Sequence, residues 1–133
     1  MTKKILVVEN EPALRRIHRR ELGKIGYQVV EAEDSYHAQN MILQDAEIAG
    51  IVLDNNMKIK NEGYNFFVRL KESGDERLNA IPVVFCVTAF PYTEEAEKLG
   101  ATVVDKIEAW MPGVYPTVMR GAFGSPVIEE GVS

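Results

Sequence analysis

Asp54 ends the apolar run Ile51, Val52, Leu53 and opens a polar loop that begins Asn55, Asn56. An unpaired buried carboxylate is costly, so an aspartate in this position either caps the turn that follows or stands at the rim of a sheet to do chemistry. A carboxylate at such a rim is chemically able to act as a covalent nucleophile. Other polar groups stand in the same relation to other apolar runs. Glu9, Asn10 and Glu11 follow the run from Ile5 to Val8, Thr88 follows the run ending at Val87, and Lys106 follows Val103, Val104 and Asp105. Asp54 alone would more often be a turn former. Its register with the other three groups is what favours a functional reading.

The elements that must position these groups are legible as a pattern. Short apolar, β-rich runs at 4–8, 27–32, 49–53, 81–87 and 102–104 predict five strands. Segments of helical spacing separate the first four. Leu14, Ile17, Leu22 and Ile25 form an apolar stripe with Arg15, Arg16, Arg19 and Arg20 largely outside it, and Gly26 suits the end of that helix. Asn10 is the expected cap and Pro12 lies in the first turn. Ala38, Met41 and Ile42 mark a second helix, and Phe66, Phe67 and Leu70 a third. A short helix is expected after Thr93 as its cap, closed by Gly100. Beyond it Pro112, Gly113 and Pro116 interrupt the pattern, so the last helix should be short or irregular and start near Pro116.

Strands alternating with helices call for a parallel sheet covered on both faces. For five strands the expected architecture is the flavodoxin-like doubly wound α/β fold, order 2-1-3-4-5, whose ligands bind beyond the carboxyl ends of strands 1 and 3. That rule selects Glu9, Asn10 and Asp54. We expect one domain over residues 1–123 and a flexible tail over 124–133.

Composition excludes several classes. A net charge of −5 argues against direct nucleic-acid binding, which calls for a basic patch. No apolar run approaches the roughly 18 residues of a membrane span. The single cysteine, Cys86, lies inside an apolar strand and forms no internal disulfide, which points to a reducing, cytoplasmic setting. His18 and His37 lack metal-ligand spacing and are expected at the surface or partly buried. Trp110, Met111, Tyr115 and Phe123 are either core filler for the last helix or an apolar patch for a homodimer.

The four features in this order, the acidic group after strand one, Asp54 after strand three, Thr88-Ala89 after strand four and Lys106 after strand five, resemble the response regulator receiver family over about residues 3–107. The resemblance implies that Asp54 accepts a phosphoryl group from a histidine kinase, a phosphotransfer protein or a small donor, and that the domain switches a downstream protein target. It implies Mg²⁺ held by Glu9, Asn10, Asp54 and the backbone carbonyl of Asn56, with Thr88 and Lys106 contacting phosphoryl oxygens. Phosphoryl transfer asks a protein mainly for positioning and charge neutralisation.

The sequence departs from that family in four places. Asn10 stands where a second metal-binding aspartate is usual; its amide oxygen suits Mg²⁺ but brings no charge, so weak metal binding is expected. Lys58 replaces a proline and Gly63 comes one residue late. Lys106 comes one residue early and precedes Ile107 rather than a proline. The aromatic expected in strand five is Val103 or Val104. The alternative is a pseudo-receiver that signals by contact without phosphorylation. A metal-dependent phosphohydrolase, the third class, is disfavoured because Asn56 stands where its second aspartate would be.

Overall fold

The computed structural model describes residues 1–128. Five parallel strands, β1 (Lys4–Val8), β2 (Gln28–Ala32), β3 (Ile48–Leu53), β4 (Val83–Val87) and β5 (Thr102–Asp105), form one sheet in the order β2-β1-β3-β4-β5. The helices are α1 (Pro12–Ile25), α2 (Ser35–Gln44), α3 (Glu62–Glu72), α4 (Glu76–Ala80), α5 (Thr93–Lys98), α6 (Lys106–Ala109) and α7 (Val114–Phe123). The flavodoxin-like doubly wound order expected from the sequence is present.

Side chains alternate across each strand, so every central strand feeds two cores. Leu6 and Val8 of β1 face a cluster with Ile42 of α2 and Phe66 and Phe67 of α3. Ile5 and Val7 face the opposite one, with Leu22 of α1 and Tyr115, Met119 and Phe123 of α7. Full burial of one such side chain stabilises by roughly 1.5–3 kcal/mol, which explains why the central strands are apolar without interruption. Gly50 is the exception, and packing accounts for it: a Cβ there would lie 2.4 Å from the Phe123 ring. The missing side chain makes room for that ring, at the C-terminal end of α7.

Several local expectations are corrected. The residue that caps α1 is Glu11, with no side-chain cap, so Asn10 does not cap this helix. The cap of α5 is Tyr92; Thr93 is the first helical residue and its hydroxyl donates to the Phe90 carbonyl at 3.1 Å. The last helix begins at Val114, after Gly113 at φ 80°, and Pro116 occupies its first turn. Two short helices, α4 and α6, have no counterpart in the sequence reading; Asp75 and Asp105 cap them through their side chains. Tyr115 and Phe123 are core, whereas Trp110 and Met111 are exposed. The tail expected from residue 124 is anchored as far as it is described: Lys3 N–H donates to the Pro126 carbonyl, Ile128 N–H to that of Met1, and Thr2 bridges Val127. Residues 129–133 of that tail lie outside the described residues.

His18 is also corrected. It is 3% exposed, and its Nδ1 lies 2.8 Å from the Tyr115 hydroxyl. Burial, with a smaller contribution from the Lys106 charge, pushes its pKa down to about 4 from 6.5. Between those values the unfolded chain binds the proton and the folded one does not, so stability is lost as pH falls through this window. Comparing wild type with His18→Leu by urea denaturation, we expect the stability difference to shift against wild type by on the order of 3 kcal/mol between pH 7 and pH 4.

Gly63 makes the tightest backbone approach at the strand ends. A Cβ there would lie 1.9 Å from the Asp54 carbonyl oxygen, against backbone that has nowhere to move. Gly63→Ala should therefore cost about 3 kcal/mol or more in the same denaturation assay.

Candidate functional site

The register of the sheet builds the site. Val8 pairs with Leu53 across β1 and β3, so the next residues, Glu9 and Asp54, emerge side by side. Val87 pairs with Asp105 across β4 and β5, which sets Thr88 and Lys106 one step further on at the same end of the sheet. The chain is fixed there by Glu9 N–H donating to the Ala32 carbonyl at 3.1 Å and Asp54 N–H to the Val8 carbonyl at 3.2 Å.

Lys106 closes the arrangement. Its Nζ lies 3.5 Å from Asp54 Oδ1 and 3.9 Å from Glu9 Oε2. The one-residue shift noted in the sequence is absorbed by α6. Asp105 accepts from Ile107 N–H at 2.8 Å and turns the chain at the end of β5, and from that turn Lys106 reaches the two carboxylates. One ammonium faces two carboxylates.

Burial sets the electrostatics. Glu9 is 2% exposed, and desolvation, then the Asp54 charge, push its pKa from 4.5 to about 7, against the opposing pull of Lys106. Desolvation raises Asp54 as well, while Lys106 and the Asn55 N–H, which donates to Asp54 Oδ1 at 2.9 Å, draw it back. The pair therefore favours a cation at this rim. Arg15 donates to the Glu9 carbonyl at 2.7 Å and holds that turn from the helix side.

Of the residues singled out from sequence, Glu9 and Asp54 both lie within ion-pair range of Lys106. Asn10 is half-buried just after Glu9. Thr88 is exposed at the end of β4, followed by Ala89 with φ 50°, a left-handed conformation uncommon for alanine. Asn56 is exposed, and its side-chain oxygen accepts from Asn61 N–H at 3.1 Å. Hard oxygen donors alone, two of them carboxylates, form a set suited to Mg²⁺.

Sequence reasoning missed Asn55. It is 3% exposed, its Oδ1 accepts from Tyr64 N–H at 3.0 Å, and its Nδ2 donates to Asn61 Oδ1 at 3.0 Å. Asn61 itself adopts φ 61°, a left-handed conformation that asparagine tolerates. The signal was available in the cluster of three asparagines around residues 55–61, which local hydrogen bonding favours in loops. Among the described residues, Glu33, Asp34 and His37 also gather ligand atoms within 4.8 Å. Helix capping accounts for that group: Asp34 caps α2 by accepting from His37 N–H at 2.8 Å. No helix among the described residues is long and apolar enough to cross a membrane.

Comparison with known proteins agrees with this geometry. Residues 5–107 match the sequence profile described as response regulator receiver domain. The probable transcriptional regulator ycf27 of Guillardia theta is 24% identical over 98% of this chain, which spans about half (52%) of that regulator's length. Chemotaxis protein CheY1 of Helicobacter pylori is 30% identical over 64% of this chain and 67% of its own. The solved structure of chemotaxis protein CheY4 of Vibrio cholerae superposes with a TM-score of 0.73 at 21% identity, covering 92% of this chain and 99% of that one. A profile match over most of the chain, on a five-stranded fold with paired acids and a lysine at the strand ends, leaves one assignment: the chain belongs to the response regulator receiver domain family of two-component systems.

Proposed function

We propose that this receiver works as a phosphorylation-dependent switch, with Asp54 as acceptor. The observation that carries the reading is the single ammonium of Lys106 within 4 Å of both Asp54 and Glu9 at the end of a parallel sheet. Asp54 Oδ attacks the phosphorus of a phosphohistidine or a small acyl phosphate. As the new O–P bond forms, the donor's bond to phosphorus breaks, and its electron pair leaves with the donor. The Asp54 acyl phosphate remains until water hydrolyses it.

Glu9, Asn10, Asp54 and the Asn56 backbone carbonyl are the residues to hold Mg²⁺, which when bound would neutralise charge on the transferring phosphoryl group. Lys106 balances the remaining oxygen charge, and Thr88, exposed at the adjacent strand end, offers a hydroxyl donor. The added charge and acceptor oxygens then bias the β4 and β5 side of the molecule toward a second arrangement. Its partners under this reading are a histidine kinase or phosphotransfer protein upstream and a protein target downstream. Contact signalling without phosphorylation is the second reading, favoured by uncharged Asn10 and by aliphatic Val103 and Val104 in β5.

Incubation with Mg²⁺ and acetyl phosphate should yield a hydroxylamine-labile phosphoryl adduct by intact mass, absent from Asp54→Asn. A wild-type protein that stays unmodified, with acetyl phosphate and with a histidine kinase alike, would favour the second reading. Restoring the missing carboxylate should strengthen metal binding: Asn10→Asp is expected to lower the Mg²⁺ dissociation constant by about tenfold, the equivalent of ~1.4 kcal/mol, in a calorimetric titration. Equal affinities would show that the charge at position 10 is not limiting.

A further inference from the structure

The loop that carries Asp54 is joined to the start of α5 by two routes, and both begin at Asn55. Asn55 reads the acceptor directly, since its N–H donates to Asp54 Oδ1 at 2.9 Å. Along the first route, Asn55 Nδ2 donates to Asn61 Oδ1 at 3.0 Å, and Asn61 Nδ2 in turn donates to the Tyr92 hydroxyl at 3.4 Å. Along the second, Asn55 Oδ1 accepts from Tyr64 N–H, and the Tyr64 ring stacks on that of Tyr92 at 4.2 Å with planes 8° apart. Both routes end on one residue.

Tyr92 is placed to pass on what it receives. It is the cap of α5, and its carbonyl accepts the Ala96 N–H at 2.9 Å, so displacement of Tyr92 displaces the first turn of that helix. Its neighbour Phe90 stacks on Phe85 of β4 at 4.8 Å, and beyond Phe90 lies a cavity of about 220 Å³ walled by Val87, Ala89, Thr93, Val103 and Asp105. Coupling needs an element with two arrangements and space to change between them. The cavity, beside left-handed Ala89 and aliphatic Val103, supplies that space.

We infer that Asn61 and Tyr92 are positioning residues that couple the acceptor carboxylate to α5, with the Tyr92 hydroxyl as the contact through which the Asp54 loop sets the helix. The inference rests on the acceptor reading of Asp54. It assigns the coupling to the loop between β4 and α5, with Val103 of β5 serving only as a wall of the space into which that loop can move.

Amide NMR shifts of the full chain test it, with Mg²⁺ and beryllofluoride, or acetyl phosphate, as the probe. In wild type both the Asp54–Asn61 loop and Thr93–Lys98 should respond. Tyr92→Phe removes the hydroxyl and keeps the stacked ring; its loop should respond as in wild type, while the α5 shifts shrink by about threefold or more. Asn61→Gly keeps the left-handed backbone and should behave alike, and the double substitution should be no worse than the more severe single one, because the two groups act as a unit. Undiminished α5 shifts in both single variants, with a normal loop response, would overturn the coupling alone. A wild-type protein that responds at neither segment would overturn the acceptor reading and the coupling with it.

Discussion

Two carboxylates, Glu9 and Asp54, lie partly desolvated at adjoining strand ends with one ammonium between them. The Asp54 charge adds to the desolvation of Glu9, and Lys106 opposes both only in part. The upward shift of Glu9 to about 7 comes first from that desolvation and second from the Asp54 charge. Asn10, the next residue after Glu9, brings no charge of its own. Under the proposed Mg²⁺ site, a neutral side chain there would draw a dication less strongly than a third carboxylate would.

Everything that holds the rim in place follows from burial elsewhere. The central strands are sealed on both faces, so a shift in register would break the packing of both cores at once and draw the polar strand ends inward. Register then delivers Glu9 beside Asp54, and the turn that Asp105 makes at the end of β5 brings Lys106 to both. Loops do the finer work. Gly63 allows the chain to pass directly over the Asp54 carbonyl, and Asn55 spends its whole side chain on satisfying that passage. Arg15, on the first turn of α1, grips the Glu9 carbonyl from the other side.

The basic face of α1 illustrates how context reassigns charge. Arg15 is engaged with Glu9 and Glu31, Arg19 with Glu31, and Arg20 with Glu21, which leaves Arg16 as the exposed member of the series without such a partner among the described residues. Exposed pairs of this kind contribute little to stability. They set the charge pattern seen by a partner more than the energy of the fold.

The sequence by itself determined the five strands, their parallel order and the identity of the polar groups at their ends, because period, length and strand-end position are local properties. The same locality explains its failures. Asn10 looked like a cap because Asn is a preferred cap and Pro12 suits the first turn, but α1 starts a residue later. His18 looked like a surface or partly buried residue on a basic helix, and only α7, returning from the far end of the chain with Tyr115, buries it. Lys106 looked misplaced by one residue until Asp105 supplied a turn that redirects it. The Asn55, Asn61 and Tyr92 chain was out of reach altogether, since it joins loops separated by some thirty residues and exists only where the sheet brings them together. Spacing along a chain can name the groups that do chemistry, but which atoms meet is decided by packing between segments distant in sequence, and that is the part tertiary structure alone decided here.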